Sequence, residues 1–290
     1  MIHFKILLTI IFFIYSDLNS EEYIEQVGPP WGYTFEKWSG PNLDIIVYIP
    51  PSALENTPLL IVVPGASRDA QRFHGSWLDL AKKNNFSVLT IGAKKNFFPD
   101  ELSYNAGGVI GNDGNLAKKE EWLFSAIEPI FIDFKERFGF NIDGFFLFGH
   151  SAGGGFVHRF LLFEPDAPVL RAAAANPAFV TLPNKQVPYP FGLKDAPVNN
   201  EMIRLWLQKD LAIVLGLEDL GPRTKPLSNG LMARRQGSNC LERGKLLHHR
   251  AEERSKDLDA NFHWELILVP NVGHDNYNIA PSACKYLFGE

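Results

Sequence analysis

Residues 145–156, FFLFGHSAGGGF, pass from an apolar run into a knot of small residues. Within them Gly149-His150-Ser151-Ala152-Gly153 sets one serine between two glycines. A hydroxyl is a weak nucleophile until a base takes its proton, and the usual base is an imidazole oriented by a carboxylate. The glycines matter because a serine raised above a sheet on a strained turn leaves no room for side chains two positions away. The same residues also suit a glycine-rich strand-to-helix turn with Ser151 as a simple N-cap. Two downstream residues decide between these readings. Asp219 follows the apolar run LAIVLGLE, and His274 follows WELILVP in the loop NVGHD, where Gly273 lets the imidazole reach back.

The competing residues are weaker. Glu218 adjoins Asp219, and Asp275 adjoins the histidine itself, which makes a productive hydrogen bond awkward. His158 lies within the helix that follows Ser151, His248 and His249 lie in a charged helix, and His150 sits inside the turn as a pocket-lining candidate. An oxyanion formed at Ser151 needs two backbone donors. The Ala152 N–H is one. The segment VVPGASRDA (62–70) offers the Ala66 N–H as the other, with Ser67 as its alternative and Gly65 allowing close approach; an ordinary strand-ending turn would read the same way.

The elements that must carry these residues alternate along the chain. PNLDIIVYIP (41–50), PLLIVVPG (58–65), FSVLTIG (86–92), DGFFLFG (143–149), VLRAAAAN (169–176), LAIVLGLED (211–219) and the WELILVP run read as strands. Between them, helical spacing appears at 73–84, 119–139 (with Pro129 as a kink), 199–208, 239–258 and 280–288. Alternation of this kind predicts an α/β fold: a mostly parallel, doubly wound sheet with helices on both faces and its site at the carboxyl ends of the strands.

Composition bounds the rest. The chain has 290 residues, 46% of them hydrophobic, enough for one substantial core. A formal net charge of -5 excludes a nucleic-acid partner that would need a basic face. No zinc-spaced Cys/His cluster is present, and the chemistry requires no metal or cofactor. Residues 1–20 have the layout of a secretory signal peptide cleaved after Ser20, with retention as an anchor the alternative; its apolar stretch is too short to span a bilayer. The expected mature chain, 21–290, is one domain, secreted or periplasmic, with no membrane span. Cys240 and Cys284 suit a single disulfide in that setting.

With these residues in place, the chain resembles the α/β-hydrolase superfamily, in particular its polyhydroxybutyrate-depolymerase-like esterase branch, over residues 42–288. The resemblance implies Ser151 as nucleophile, Asp219 as acid and His274 as base, and PGASRDAQRF is similar to the branch's oxyanion segment. Pro64 departs from the usual histidine there. In ANPAFVTLP (175–183) the chain carries Phe179 and Val180 where the branch tends to larger aromatics. Aromatic residues make up 13% of the chain, and Phe179, Tyr104 and others in overhanging segments suggest an apolar pocket, with Ser67 and His150 as further substrate-binding candidates. The expected function is an esterase acting through an acyl-enzyme on a hydrophobic or polymeric ester. A peptidase or amidase on the same scaffold is the alternative enzyme, and a non-catalytic module that keeps the fold is the alternative outside catalysis.

Overall fold

The computed structural model describes residues 31–111 and 113–289; the expected leader, 1–20, lies outside them. Eight strands form one sheet: β1 (Trp31–Phe35), β2 (Leu43–Tyr48), β3 (Leu59–Val63), β4 (Ser87–Gly92), β5 (Phe145–His150), β6 (Val169–Ala175), β7 (Leu211–Gly216) and β8 (Glu265–Val269). Their spatial order is β1-β2-β4-β3-β5-β6-β7-β8. The β1–β2 and β2–β4 pairs are antiparallel, and every later pair is parallel. Parallel neighbours cannot be joined by a hairpin, so the chain must cross a face of the sheet between them. The crossings use α1 (Ala70–Asn84), α2 (Ile127–Phe138), α3 (Ala152–Phe163), α4 (Asn200–Leu207), α5 (Pro226–Asn229), α6 (Leu231–Gln236) and α7 (Cys240–Asp257), and α8 (Asn276–Phe288) follows β8. The expected mostly parallel sheet with helices on both faces is what forms.

Successive strand residues point to opposite faces, so a strand buried on both sides must be apolar throughout. In β3, Leu59, Ile61 and Val63 join the core beneath α2, α3, α4 and α7, while Leu60 and Val62 join the one beneath α1 and α8. In β6, Ala172 and Ala174 face the first core, and Ala173 and Ala175 the second. These small side chains let helices lie close to the middle of the sheet. Gly154 of α3 touches Ala175, and any Cβ there would meet that residue's carbonyl 2.5 Å away.

Three sequence expectations change. Segment 119–126 forms two short 3-10 turns (Lys119–Glu121 and Leu123–Ala126) rather than helix, so Pro129 sits in the first turn of α2. Its missing N–H is one that a helix start leaves unbonded anyway, and no kink results. The final helix begins at Asn276, not at 280, because Asp275 caps it: its Oδ1 accepts from the backbone N–H groups of Tyr277 and Asn278. The expected disulfide is not formed. Cys240 and Cys284 are both buried, but Cys240 opens α7 and Cys284 belongs to the α1/α8 core on the opposite face, with the sheet between them.

Burial also holds several histidines neutral. His74, whose Nδ1 lies 2.9 Å from Thr90 Oγ1, is pushed down to about 4 by burial, and burial holds His150 and His158 well below 6.5. Such groups bind protons more readily in the unfolded chain, so their contribution to stability is complete above pH 6.5. For His74 it is lost as pH falls from there towards about 4. Thermal melts should therefore show Tm falling between pH 7 and pH 4.5, and His74→Gln should reduce that fall; an equal pH dependence in the two proteins would contradict it.

Candidate active site

The register of the parallel strands sets the site. Val63 of β3 lies beside Gly149 of β5, His150 beside Ala175 of β6, Ala175 beside Val214 of β7, and Gly216 beside Val269 of β8. The loops leaving these ends carry Ala66, Ser151, Asp219 and His274, so residues far apart in sequence meet above one edge.

Ser151 sits at φ 60, ψ -114, a conformation that costs a non-glycine residue about 1–3 kcal/mol and holds only where its surroundings enforce it. Its N–H donates to the Ala175 carbonyl (2.9 Å), and its own carbonyl accepts from the Gly155 N–H (3.0 Å). A Cβ at Gly149 would overlap the Gly153 carbonyl, and one at Gly153 would overlap that of Val63. Both motif glycines are therefore needed for contact.

Ser151 Oγ lies 2.9 Å from His274 Nε2, and His274 Nδ1 lies 2.6 Å from Asp219 Oδ2. Asp219 is 1% exposed whereas its rival Glu218 is exposed to solvent, and Asp275 is committed to the α8 cap. His158 is a core residue, its Nδ1 on the Gly154 carbonyl and its Nε2 accepting the Thr181 N–H. The second oxygen of Asp219 accepts from Arg223 at 3.3 Å. Cys240 adjoins the same carboxylate; burial and then the Asp219 charge push its thiol pKa up, so it stands there protonated. Asp219, Cys240 and His274 carry metal-ligating atoms within 4.8 Å of one another, but two of those atoms already face each other in the Asp219–His274 hydrogen bond.

Ala66, Ser67, His150, Ser151, Ala152 and His274 all line one cavity of about 330 Å³. Ala152 is the first residue of α3, so its N–H has no intrahelical acceptor. The Ala66 loop is held from below: the Tyr104 hydroxyl donates to the Pro64 carbonyl (2.6 Å), and Arg68 donates to that of Ala66 (3.3 Å) while stacking on the Tyr104 ring. Tyr104 thus supports the segment expected to supply an oxyanion donor, at the point where proline replaces the expected histidine.

The substrate-facing expectation for Tyr104 and Phe179 does not hold. Both are fully buried, and neither lines the cavity; Phe179 packs on Phe191 under the Arg159 guanidinium. The expected apolar pocket is instead rimmed by Arg68, Arg72, Arg223 and Lys225, with Glu101 the acidic side chain on the wall. Glu101 is occupied, accepting the N–H groups of Leu227 (2.7 Å) and Ser228 (3.1 Å), which ties the 222–228 segment across the opening. The sequence reading passed over these cations. Their signal was present in SRDAQR and GPRTK, each a short basic run within ten residues of an assigned site residue.

Among the described residues, no helix is long and apolar enough to cross a membrane. No protein-family model and no curated protein matches the chain. Solved structures do. Poly(aspartic acid) hydrolase-1 from Sphingomonas sp. KT-1 is 35% identical, with 89% of this chain and 98% of that one aligned at a TM-score of 0.86. The poly(3-hydroxybutyrate) depolymerase LpqC from Bordetella parapertussis matches in fold, at 22% identity, 94% and 96% coverage and a TM-score of 0.85. An S-formylglutathione hydrolase from Agrobacterium tumefaciens is more distant, at 17% identity, 89% and 92% coverage and 0.56. A sheet of this order, a serine turn at its centre and 35% identity over nearly all of a known hydrolase lead to one conclusion: the chain is a hydrolase of the esterase and depolymerase branch of the α/β-hydrolase superfamily.

Proposed function

We propose that the chain is a serine hydrolase that cleaves an acyl bond in a carboxylate-bearing substrate through an acyl-enzyme. The observation that carries this reading is the hydrogen-bonded line Ser151–His274–Asp219 opening into a cavity rimmed by cations. Ser151 Oγ attacks the substrate carbonyl carbon while His274 Nε2 takes its proton. The oxygen that becomes negative is held by the Ala66 and Ala152 N–H groups, and Asp219 fixes the imidazole with its Nδ1–H towards the carboxylate. Collapse breaks the acyl bond, and His274 returns the proton to the departing alcohol or amine. Water then repeats the sequence on the acyl-serine and releases an acid.

The cations favour an anionic substrate over the hydrophobic ester that the aromatic content suggests. Poly(aspartic acid), the polyamide named for the 35% identical hydrolase, is one such compound. A second reading rests on the adjoining cavity of about 400 Å³, where Pro99, Leu102, Pro226 and Leu227 form an apolar wall that suits a neutral ester. Secretion, with removal of residues 1–20, belongs to the same proposal because an extracellular polymer must be met outside the cell.

A fluorophosphonate probe should label the wild type and not Ser151→Ala; labelling that survives the substitution would sink the nucleophile assignment. Asp219→Asn should lower kcat by at least ~10³-fold, since the amide favours the wrong imidazole tautomer. Glu218→Gln should stay within about twofold, as exposed substitutions usually do, and comparable losses in the two variants would remove Asp219 from its role. For the substrate, Arg72→Gln and Lys225→Gln should each lower the ratio of kcat/KM on poly(aspartate) to that on p-nitrophenyl butyrate about threefold, the loss of one exposed ion pair. An unchanged ratio would favour the neutral-ester reading.

A further inference from the structure

The loop after β6 carries none of the reacting residues, yet β6 lies between the strand of Ser151 and the strand of Asp219. Its first residue, Asn176, is fully buried and sits at φ 43, in the left-handed region that asparagine enters more readily than most side chains. Its N–H donates to the Val214 carbonyl (2.9 Å). Its side chain reaches all three segments that hold the triad. Oδ1 accepts the Gly216 N–H (2.9 Å), and the Gly216 carbonyl in turn accepts the Asp219 N–H (3.1 Å). Nδ2 donates to the Gly273 carbonyl (3.2 Å), in the peptide that joins His274. Nδ2 also lies 3.4 Å from Nε2 of His150, the residue before Ser151.

These partners leave the amide one orientation. Gly216 N–H can only donate and Gly273 C=O can only accept, so Nδ2 must face His150, and Nε2 of His150 must accept. The imidazole is thereby held neutral, with its proton on Nδ1, against the His274 ring 4.6 Å away between centroids. From this juxtaposition we infer that Asn176 is a positioning residue that sets the spacing of the nucleophile, acid and base loops and keeps a cation from forming beside His274. The inference rests on the serine-hydrolase reading above.

Asn176→Gly keeps the left-handed backbone and deletes the amide. Asn176→Asp keeps the acceptor for Gly216 and removes both donations. Both variants should hydrolyse p-nitrophenyl butyrate with kcat reduced roughly 10²-fold and KM within about twofold, the effect expected when reacting groups are displaced by about 1 Å. The rate of fluorophosphonate labelling should fall in parallel, while Asn176→Gly retains the wild-type Tm to within a few degrees. In histidine side-chain NMR, His150 should remain the neutral Nδ1–H tautomer from pH 5 to 8 in the wild type and titrate within that range in Asn176→Asp. Wild-type labelling and turnover rates in folded Asn176→Gly, or a His150 spectrum unmoved in Asn176→Asp, would overturn the inference. Failure of the wild type to label at Ser151 would instead overturn the nucleophile assignment beneath it.

Discussion

The turn at Ser151 is an arrangement that the peptide unit would not hold alone. A positive φ on a side chain larger than hydrogen persists only when neighbours on every side are fixed, and here those neighbours are strand ends. The serine N–H is anchored to the end of β6, Gly153 rests on the Val63 carbonyl at the end of β3, and Gly154 rests on Ala175. The helix α3 therefore approaches the sheet as closely as backbone allows, and the alanines of β6 follow from that approach. Larger side chains at 172 and 174, on the face that α3 covers, would push apart the layers that keep the serine exposed.

The histidine and acid loops meet the same requirement with a different device. Each leaves a strand two or three places further along the sheet from β5 and must return over its edge, so each needs a fixed point. Gly216 supplies one: its carbonyl accepts the Asp219 N–H, and any Cβ there would overlap the Val272 carbonyl. The Glu218 N–H bond to Val272 (2.9 Å) then stitches the acid loop to the base loop directly. The 2.6 Å Asp219–His274 hydrogen bond is the last link in a backbone lattice that already brings the two loops together.

That lattice explains which parts of the molecule were legible in the sequence. β3 and β7 are continuous apolar runs because both faces are covered, and β4, β5 and the AAAA half of β6 come close; runs bounded by proline or glycine are hard to misread. The hydrogen-bonded set Ser151, His274 and Asp219 was legible because each member stands just past such a run. Which of Asp219 and Glu218 reaches His274 depends on register, since adjacent residues differ only in which face of the loop they present. β1, a short edge strand reading WGYTF, carried too little pattern to be anticipated. The cavity wall was misread for a physical reason. Aromatic rings in irregular segments suggested an apolar site, but Tyr104 and Phe179 are occupied in covering the guanidinium groups of half-buried Arg68 and buried Arg159. The arginines and the lysine left at the opening come from segments 68–72 and 223–225, whose meeting depends on a Glu101 contact that no local pattern encodes.

The placement of charge around the site has a consequence for how the enzyme turns over. Asp219 is buried and shared between His274 and Arg223, so its negative charge is spent inside the protein and does little to repel an anion at the cavity mouth. Arg72 and Lys225, by contrast, are exposed, where a bound carboxylate gains a modest attraction that salt screens within about 10 Å. Hydrolysis of an anionic polymer divides the parent's carboxylates between two shorter fragments, so each product carries fewer of them than its parent. Deep, bidentate recognition would retain that product. For the proposed anionic polymer, exposed Arg72 and Lys225, each weak, together draw a long chain to Ser151 and let go of the shorter fragments that keep fewer of those contacts.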